Sequence, residues 1–402
     1  MPEFVDPFSR HFGRIDAMTA TFESRVPGCF QWLCLLSLLL VFSGSVIADD
    51  PLVLVSSFAA TPDGGITALR LNTTAGTLST LQKNNDIPNP FFFDISPDQK
   101  HLYSIFAETF GGSKNEELAA WKLDASTGKI QLINRQSSRG TASCFVECDP
   151  TGKSVLVANY ASGSVVSYAV KTDGALSEPI TFVQHSGNSV NADRQKEAHA
   201  HCFVISPNNK FAYAADLGID QIVCYAFDSQ TGKLRPAQQP FVRTPPGTGP
   251  RHLTFHPDGK KMYVINELLN SVTRFVFNPD SGQLIEGQTI STVPSDFTGV
   301  SYCADLKITP DGRFLYGTNR GHDSIAMYSI AANGDLSLLG IEPSLGKGPQ
   351  NLAITRDGKL LLCANMPGNN VAVFRIDTQA GTLTATGNPI TVTSPSCIRI
   401  LR

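Results

Sequence analysis

Arg251 and Glu267 stand sixteen positions apart, at the two ends of the stretch PRHLTFHPDGKKMYVINE. A guanidinium grips a carboxylate or phosphate through its planar fork, and a carboxylate beside it serves as base or counter-charge. His199 and His201 lie in AHAH and Arg320 in TNRG, which adds imidazole, a group that moves protons near neutral pH, and a second cation. This set suits binding a small anion and moving a proton on it. A metal reading needs a third ligand beside the two histidines, and neighbouring arginines repel a cation. No metal and no cofactor are implied.

The positions of these residues are set by the elements around them. Residues 250–267 read as a hairpin: Leu253 and Phe255 alternate with polar residues, His256-Pro-Asp-Gly259 is turn chemistry, and Met262 to Ile265 is a second apolar run. The start of the first strand and the end of the second then share one edge, which places Arg251 beside Glu267. The same frame recurs along the chain. Its turns read SPDQK, DPTGK, SPNNK, HPDGK, TPDGR and TRDGK, and the closing Lys or Arg falls at 100, 153, 210, 260, 313 and 359. Such spacing fits one four-stranded propeller blade per repeat.

A further copy is split: LVLVSSF at Leu52–Phe58 has the second strand without a first, and SCIRILR at Ser396–Arg402 has a first strand without a second. Joining the two leaves no sheet edge at the seam. The expected fold is all-β: a seven-bladed β-propeller over 49–402, closed by the C-terminal strand joining the N-terminal blade.

Counting six residues back from each turn proline or its equivalent gives one residue per blade where the first strand begins: Phe91, Cys144, His201, Arg251, Ala304 and Gln350. Sixteen further on come Ala107, Tyr160, Leu217, Glu267, Arg320 and Met366. Tyr160, Gln350, Arg251 and Arg320 are the expected substrate contacts, and Glu267, His201, His199 and Arg251 the expected catalytic set. The column Asn159, Asp216, Asn266, Asn319 and Asn365 repeats in almost every blade, so it reads as structural. His252 and His256 read as packing or turn residues, facing away from Arg251 by strand alternation. A solvated Arg251–Glu267 pair at the rim would contribute only about 0–1 kcal/mol.

Composition excludes other classes. A net charge of −3 and the lack of any basic run argue against nucleic acid as a partner. Residues 30–48 (FQWLCLLSLLLVFSGSVIA) are uncharged, come after Arg25 and end in a small residue, which is a signal-peptide pattern with cleavage after Ala48. Export to a periplasmic or extracellular location is expected, with no membrane association after cleavage. An anchor through 30–48 is the alternative, and Met18 is a candidate start. Cys29 and Cys34 leave with this segment; the other seven cysteines fall mostly in strands, as small buried hydrophobes do.

GTGPRHLTFHPDGKKMYVINE, the DRQKEAHAH run from Asp193, ADLGID from Ala215 and DGRFLYGTNRGHDSIAMY from Asp311 together resemble the seven-bladed propeller family of bacterial 6-phosphogluconolactonase and fungal 3-carboxy-cis,cis-muconate cyclase. The resemblance covers Leu52 to Arg402. It implies a site of His199 or His201, Arg251, Glu267 and Arg320, and hydrolysis of a small anionic lactone, sugar-phosphate or carboxylated. Glu267 or a histidine would be general base, and an arginine or imidazolium the oxyanion donor. The alternatives are muconate-lactonizing cyclase activity, a calcium-dependent lactonase, which would need converging carboxylates, and a secreted propeller that binds a ligand or protein without catalysis. Two departures from the family pattern bear on the substrate: Pro349-Gln350 replaces Pro-Arg, and Asn365-Met366 replaces Asn-Gln.

Overall fold

The computed structural model describes residues 50–401, so the expected signal segment lies outside the described residues. Seven antiparallel sheets succeed one another along the chain, and all but the first are entered at the innermost strand and built outward. Blades are numbered from the one containing Leu52–Ser57. That strand pairs with Pro395–Ile400, which supplies the blade's innermost strand from the far end of the chain. The ring is thereby closed by hydrogen bonds between its two ends, as the split repeat requires. In blade seven the outer strand is in two pieces, Leu383–Ala385 and Ile390–Thr391, both paired with Asn370–Ile376.

Side-chain burial tracks strand position. Second strands such as Ser154–Asn159 and Leu360–Asn365 are buried throughout, because both of their faces meet neighbouring blades. Outermost strands such as Leu176–Gln184 alternate buried or part-buried with exposed. The repeat also encodes a staple between blades. Tyr213, Tyr263 and Tyr316 are buried in second strands, and each donates its hydroxyl to a turn glycine of the next blade: Gly282 (2.7 Å), Gly334 (2.7 Å) and Gly381 (3.0 Å). Burying a ring while satisfying its hydroxyl joins sheet to sheet at no polar cost.

The asparagine column is structural, as expected. Asn159, Asn319 and Asn365 each donate from Nδ2 to a backbone carbonyl, those of Ser138, Thr292 and Ser344. These bonds tie the end of a second strand to the segment entering the same blade.

One irregularity recurs near the start of the inner strands. In blade five Pro250 pairs with Asn266 and His252 with Ile265, so Arg251 is an extra residue in the ladder. His201 holds the same place between Ala200 and Cys202, Cys144 between Ser143 and Phe145, and Gln350 between Pro349 and Asn351. In blade six Ala304 and Asp305 stand opposite Thr318, again one extra residue. A bulge leaves its extra residue unpaired and re-aims its side chain. The frame counted in the sequence is therefore the frame of these bulges.

Candidate active site

The bulged residues and the ends of the second strands meet in a pit of about 220 Å³ at one mouth of the axial channel. Its wall includes Cys144, His201, Arg251 and Gln350 from bulges, Tyr160 and Glu267 from just past second strands, Arg320 from the end of one, and Arg194. Glu267 is the hub. Its Oε1 accepts from Arg194 Nη2 at 2.7 Å, and its Oε2 takes Arg251 Nε at 2.8 Å and Arg320 Nη2 at 2.9 Å. Three guanidiniums thus share one carboxylate. Arg251 Nη1 and Arg320 Nη2 also donate to the carbonyls of Ala304 and Cys303, at 2.6 and 3.0 Å, which fixes both to blade six.

The pair Arg251–Glu267 is not a solvated rim contact: the residues are 1 % and 3 % exposed. Burial pushes the Glu267 carboxyl up, but Arg320, Arg251 and Arg194 outweigh it and hold the group below the usual carboxylate range. Glu267 is ionised at neutral pH. Burial, together with the Arg320 charge, lowers the Arg251 guanidinium to about 10, still a cation near neutrality. Burial, then Arg251 and His252, depress His201 well below its ordinary range, so its imidazole is neutral. Burial raises the Cys144 thiol, and its sulfur lies 3.6 Å from His201 Nδ1. Cys144 is a neutral packing group and not a thiolate nucleophile. Three cations against one carboxylate leave two positive charges in excess.

Arg194 belongs to no repeat, so periodic spacing gives no sign of it. It lies in the connection between blades three and four, in the same DRQKEAHAH run whose histidines are the obvious feature. That connection is built to hold it. Asn191 Oδ1 accepts from the Arg194 N–H at 3.1 Å, and the fully buried Gln195 bonds Leu217 O and the Asn191 N–H. Gly218 is required beneath it, since a Cβ there would lie 1.9 Å from Glu197 O.

His199 is near the pit but not in its wall. It precedes the strand Ala200–Ile205, stacks on the Tyr160 ring at 4.6 Å, and its Nδ1 sits 2.9 Å from Tyr160 O. It supports Tyr160, whose hydroxyl in turn accepts from Arg194 Nη2 at 3.1 Å. The other sequence-derived residues, His201, Arg251, Glu267, Arg320, Tyr160 and Gln350, all line the cavity. Gln350 Oε1 is buried and has no hydrogen-bond partner among the described residues.

His252 is a buried packing residue outside the pit wall, as expected, although it packs inside the channel against Phe92 and Phe145. The bulge before it turns it into the channel, where its Nδ1 meets Asp305 Oδ1 at 2.9 Å and its ring lies 5.4 Å from that of His201. It lines a larger cavity of about 580 Å³ formed by the far halves of the inner strands. Most charges in that cavity are already matched: Asp94 with Arg399 at 2.8 Å, Asp305 with Lys307 at 2.7 Å. Burial also depresses His252 to about 4, so a neutral imidazole is common to both cavities; the unbalanced charge is what marks the smaller pit.

Inner-strand bulges supply Arg251 and His201, second-strand ends Glu267 and Arg320, and one connection Arg194, so a seven-bladed propeller gathers three guanidiniums, a carboxylate and an imidazole in one axial pit. The chain belongs to the lactonase family of seven-bladed β-propellers, whose model matches residues 52–400. It is 33 % identical over 339 residues to a 6-phosphogluconolactonase of Bacillus subtilis, covering 84 % of this chain and 94 % of that one. A 6-phosphogluconolactonase of Formosa agariphila is 33 % identical over 344 residues, with 84 % and 96 % covered. Among solved structures, the periplasmic gluconolactonase of Pseudomonas aeruginosa superposes with a TM-score of 0.81 at 29 % identity, covering 88 % of this chain and 99 % of that one.

Proposed function

We propose that this chain hydrolyses a small anionic lactone of the 6-phosphogluconolactone kind, in the pit around Glu267. The observation that carries the reading is the set of three guanidiniums on one buried carboxylate. The pit has two positive charges to spare, enough for a phosphate, which carries about 1.5 to 2 negative charges at neutral pH. Gln350 Oε1, an acceptor without a donor, suits a hydroxyl of a sugar ring.

In this reading the arginines hold the anion and place the lactone carbonyl in the pit. Water attacks the carbonyl carbon while neutral His201 takes its proton. The charge that develops on the carbonyl oxygen is met by a guanidinium. The ring C–O bond then breaks, and the departing oxygen recovers the proton from His201, giving the open hydroxy acid. Glu267, with both oxygens engaged by arginine, orients these cations; it becomes a stronger base only when the bound anion draws guanidiniums off it.

A hydrolysis screen of phosphorylated, carboxylated and neutral lactones with protein beginning at Asp49 tests this. Turnover led by the phosphorylated substrate is expected. Saturable binding without turnover of any lactone would leave a binding propeller instead. Export with cleavage after Ala48 belongs to the same reading and rests on the uncharged run 30–48. N-terminal sequencing of the mature protein checks it, and an intact segment in the membrane fraction would replace it with the anchor.

A further inference from the structure

We propose that Arg194 is the specificity-determining residue of the pit, the third guanidinium that makes it select a doubly charged anion over a neutral or singly charged one. This rests on the lactonase reading and deepens it. Without Arg194, Arg251 and Arg320 against Glu267 leave one positive charge in excess, which a single carboxylate would neutralise. With it the excess is two.

The three arginines differ in how they are held. Arg251 is buried in an inner strand and bonded to Ala304 O, and Arg320 ends a second strand and is bonded to Cys303 O. The Arg194 guanidinium makes no such backbone bond among the described residues. It reaches in from the connection between blades three and four, and its side chain is 31 % exposed. It touches Glu267, the Tyr160 hydroxyl and, at 5.7 Å, the face of Tyr302. The backbone beneath it is fixed by Asn191 and Gln195, so the cation stays at the mouth while its tip is free to change partner. An entering dianion can take that tip from Glu267 Oε1 without breaking the wall of the pit. Because Arg194 lies outside the blade repeat, it can differ without disturbing any sheet.

The experiment compares wild type with Arg194→Gln and Arg194→Lys on 6-phosphogluconolactone and on the neutral gluconolactone. Losing one charge-assisted contact to the anion is expected to lower kcat/KM for the phosphorylated lactone by about 10- to 100-fold, mostly through KM. The neutral lactone, which offers Arg194 no anion to hold, should lose much less, so that the ratio of the two kcat/KM values falls, and Arg194→Lys should restore part of that ratio. An equal fall on both substrates, or no change in their ratio, would overturn the assignment. If the wild type turns over neither lactone, the catalytic reading fails, and inorganic phosphate binding by calorimetry then decides the role of Arg194. Weaker binding to Arg194→Gln supports it; equal affinity overturns it.

Discussion

Arg251 Nε and Glu267 Oε2 lie 2.8 Å apart in a pair nearly closed to solvent, at opposite ends of one hairpin. Removing one member of a buried pair strands the other, so Arg251→Met is expected to lower stability by about 3–5 kcal/mol. Arg194 and Arg320 remain on Glu267 and place the effect toward the lower end. Denaturant unfolding of the single variants and of the Arg251→Met/Glu267→Met double variant checks this. The double variant should cost clearly less than the sum of the two; strict additivity would mean that the pair is not coupled.

Glu267→Gln leaves three guanidiniums in one pit without their shared counter-charge. The variant is expected to lose turnover and to gain more from phosphate than the wild type does. Thermal unfolding in phosphate, against chloride at matched ionic strength, should show a larger rise in Tm for the variant. Equal shifts would mean that the anion binds elsewhere.

His201 is buried beside Arg251 and keeps a depressed pKa, so its imidazole stays neutral well into acid. The acid limb of kcat/KM should therefore fall well below the ordinary histidine range, and His201→Asn should reduce kcat by about 10²–10⁴ with the lactone still bound. A limb at the ordinary histidine value would assign the proton transfer to another group.

Glu147 gives a pH dependence of stability that needs no substrate. Burial, reinforced by Asp94, pushes its carboxyl up to about 8, although the Ile205 N–H donates to Oε1 at 2.9 Å. Between the ordinary value of 4.5 and about 8 the folded chain keeps a proton that the unfolded chain has released. Its contribution is full below that window and is lost as pH rises through it, by about 1.4 kcal/mol per unit at most. Glu147→Gln keeps the acceptor and removes the titration. The variant should match the wild type near pH 4.5 and exceed it by a few kcal/mol above pH 8, read from urea unfolding at the two pH values. A difference independent of pH would refute the burial argument.

The ring, its closure and most of the pit are legible in the sequence because each blade repeats one turn at one distance from its inner strand. Counting back from that turn reaches the bulged residue even though a bulge has no signature of its own. The same bulge defeats the alternation rule at His199, which is two positions from His201 yet ends beneath Tyr160 and outside the pit wall. His252 is a packing residue outside the pit wall, as expected, although it packs inside the channel. Arg194 is invisible to any periodic reading, since it sits in a connection whose fold depends on the buried Gln195 and on the room left by Gly218.

An inserted residue near the head of an inner strand owes nothing to a cross-strand neighbour. Cys144, His201, Arg251 and Gln350 occupy equivalent sockets around one axis, yet they are a thiol, an imidazole, a guanidinium and an amide. The chassis tolerates all four because none of them takes part in the pairing that holds it together. New chemistry at the hub then requires single exchanges at these sockets, each made without rebuilding the wheel.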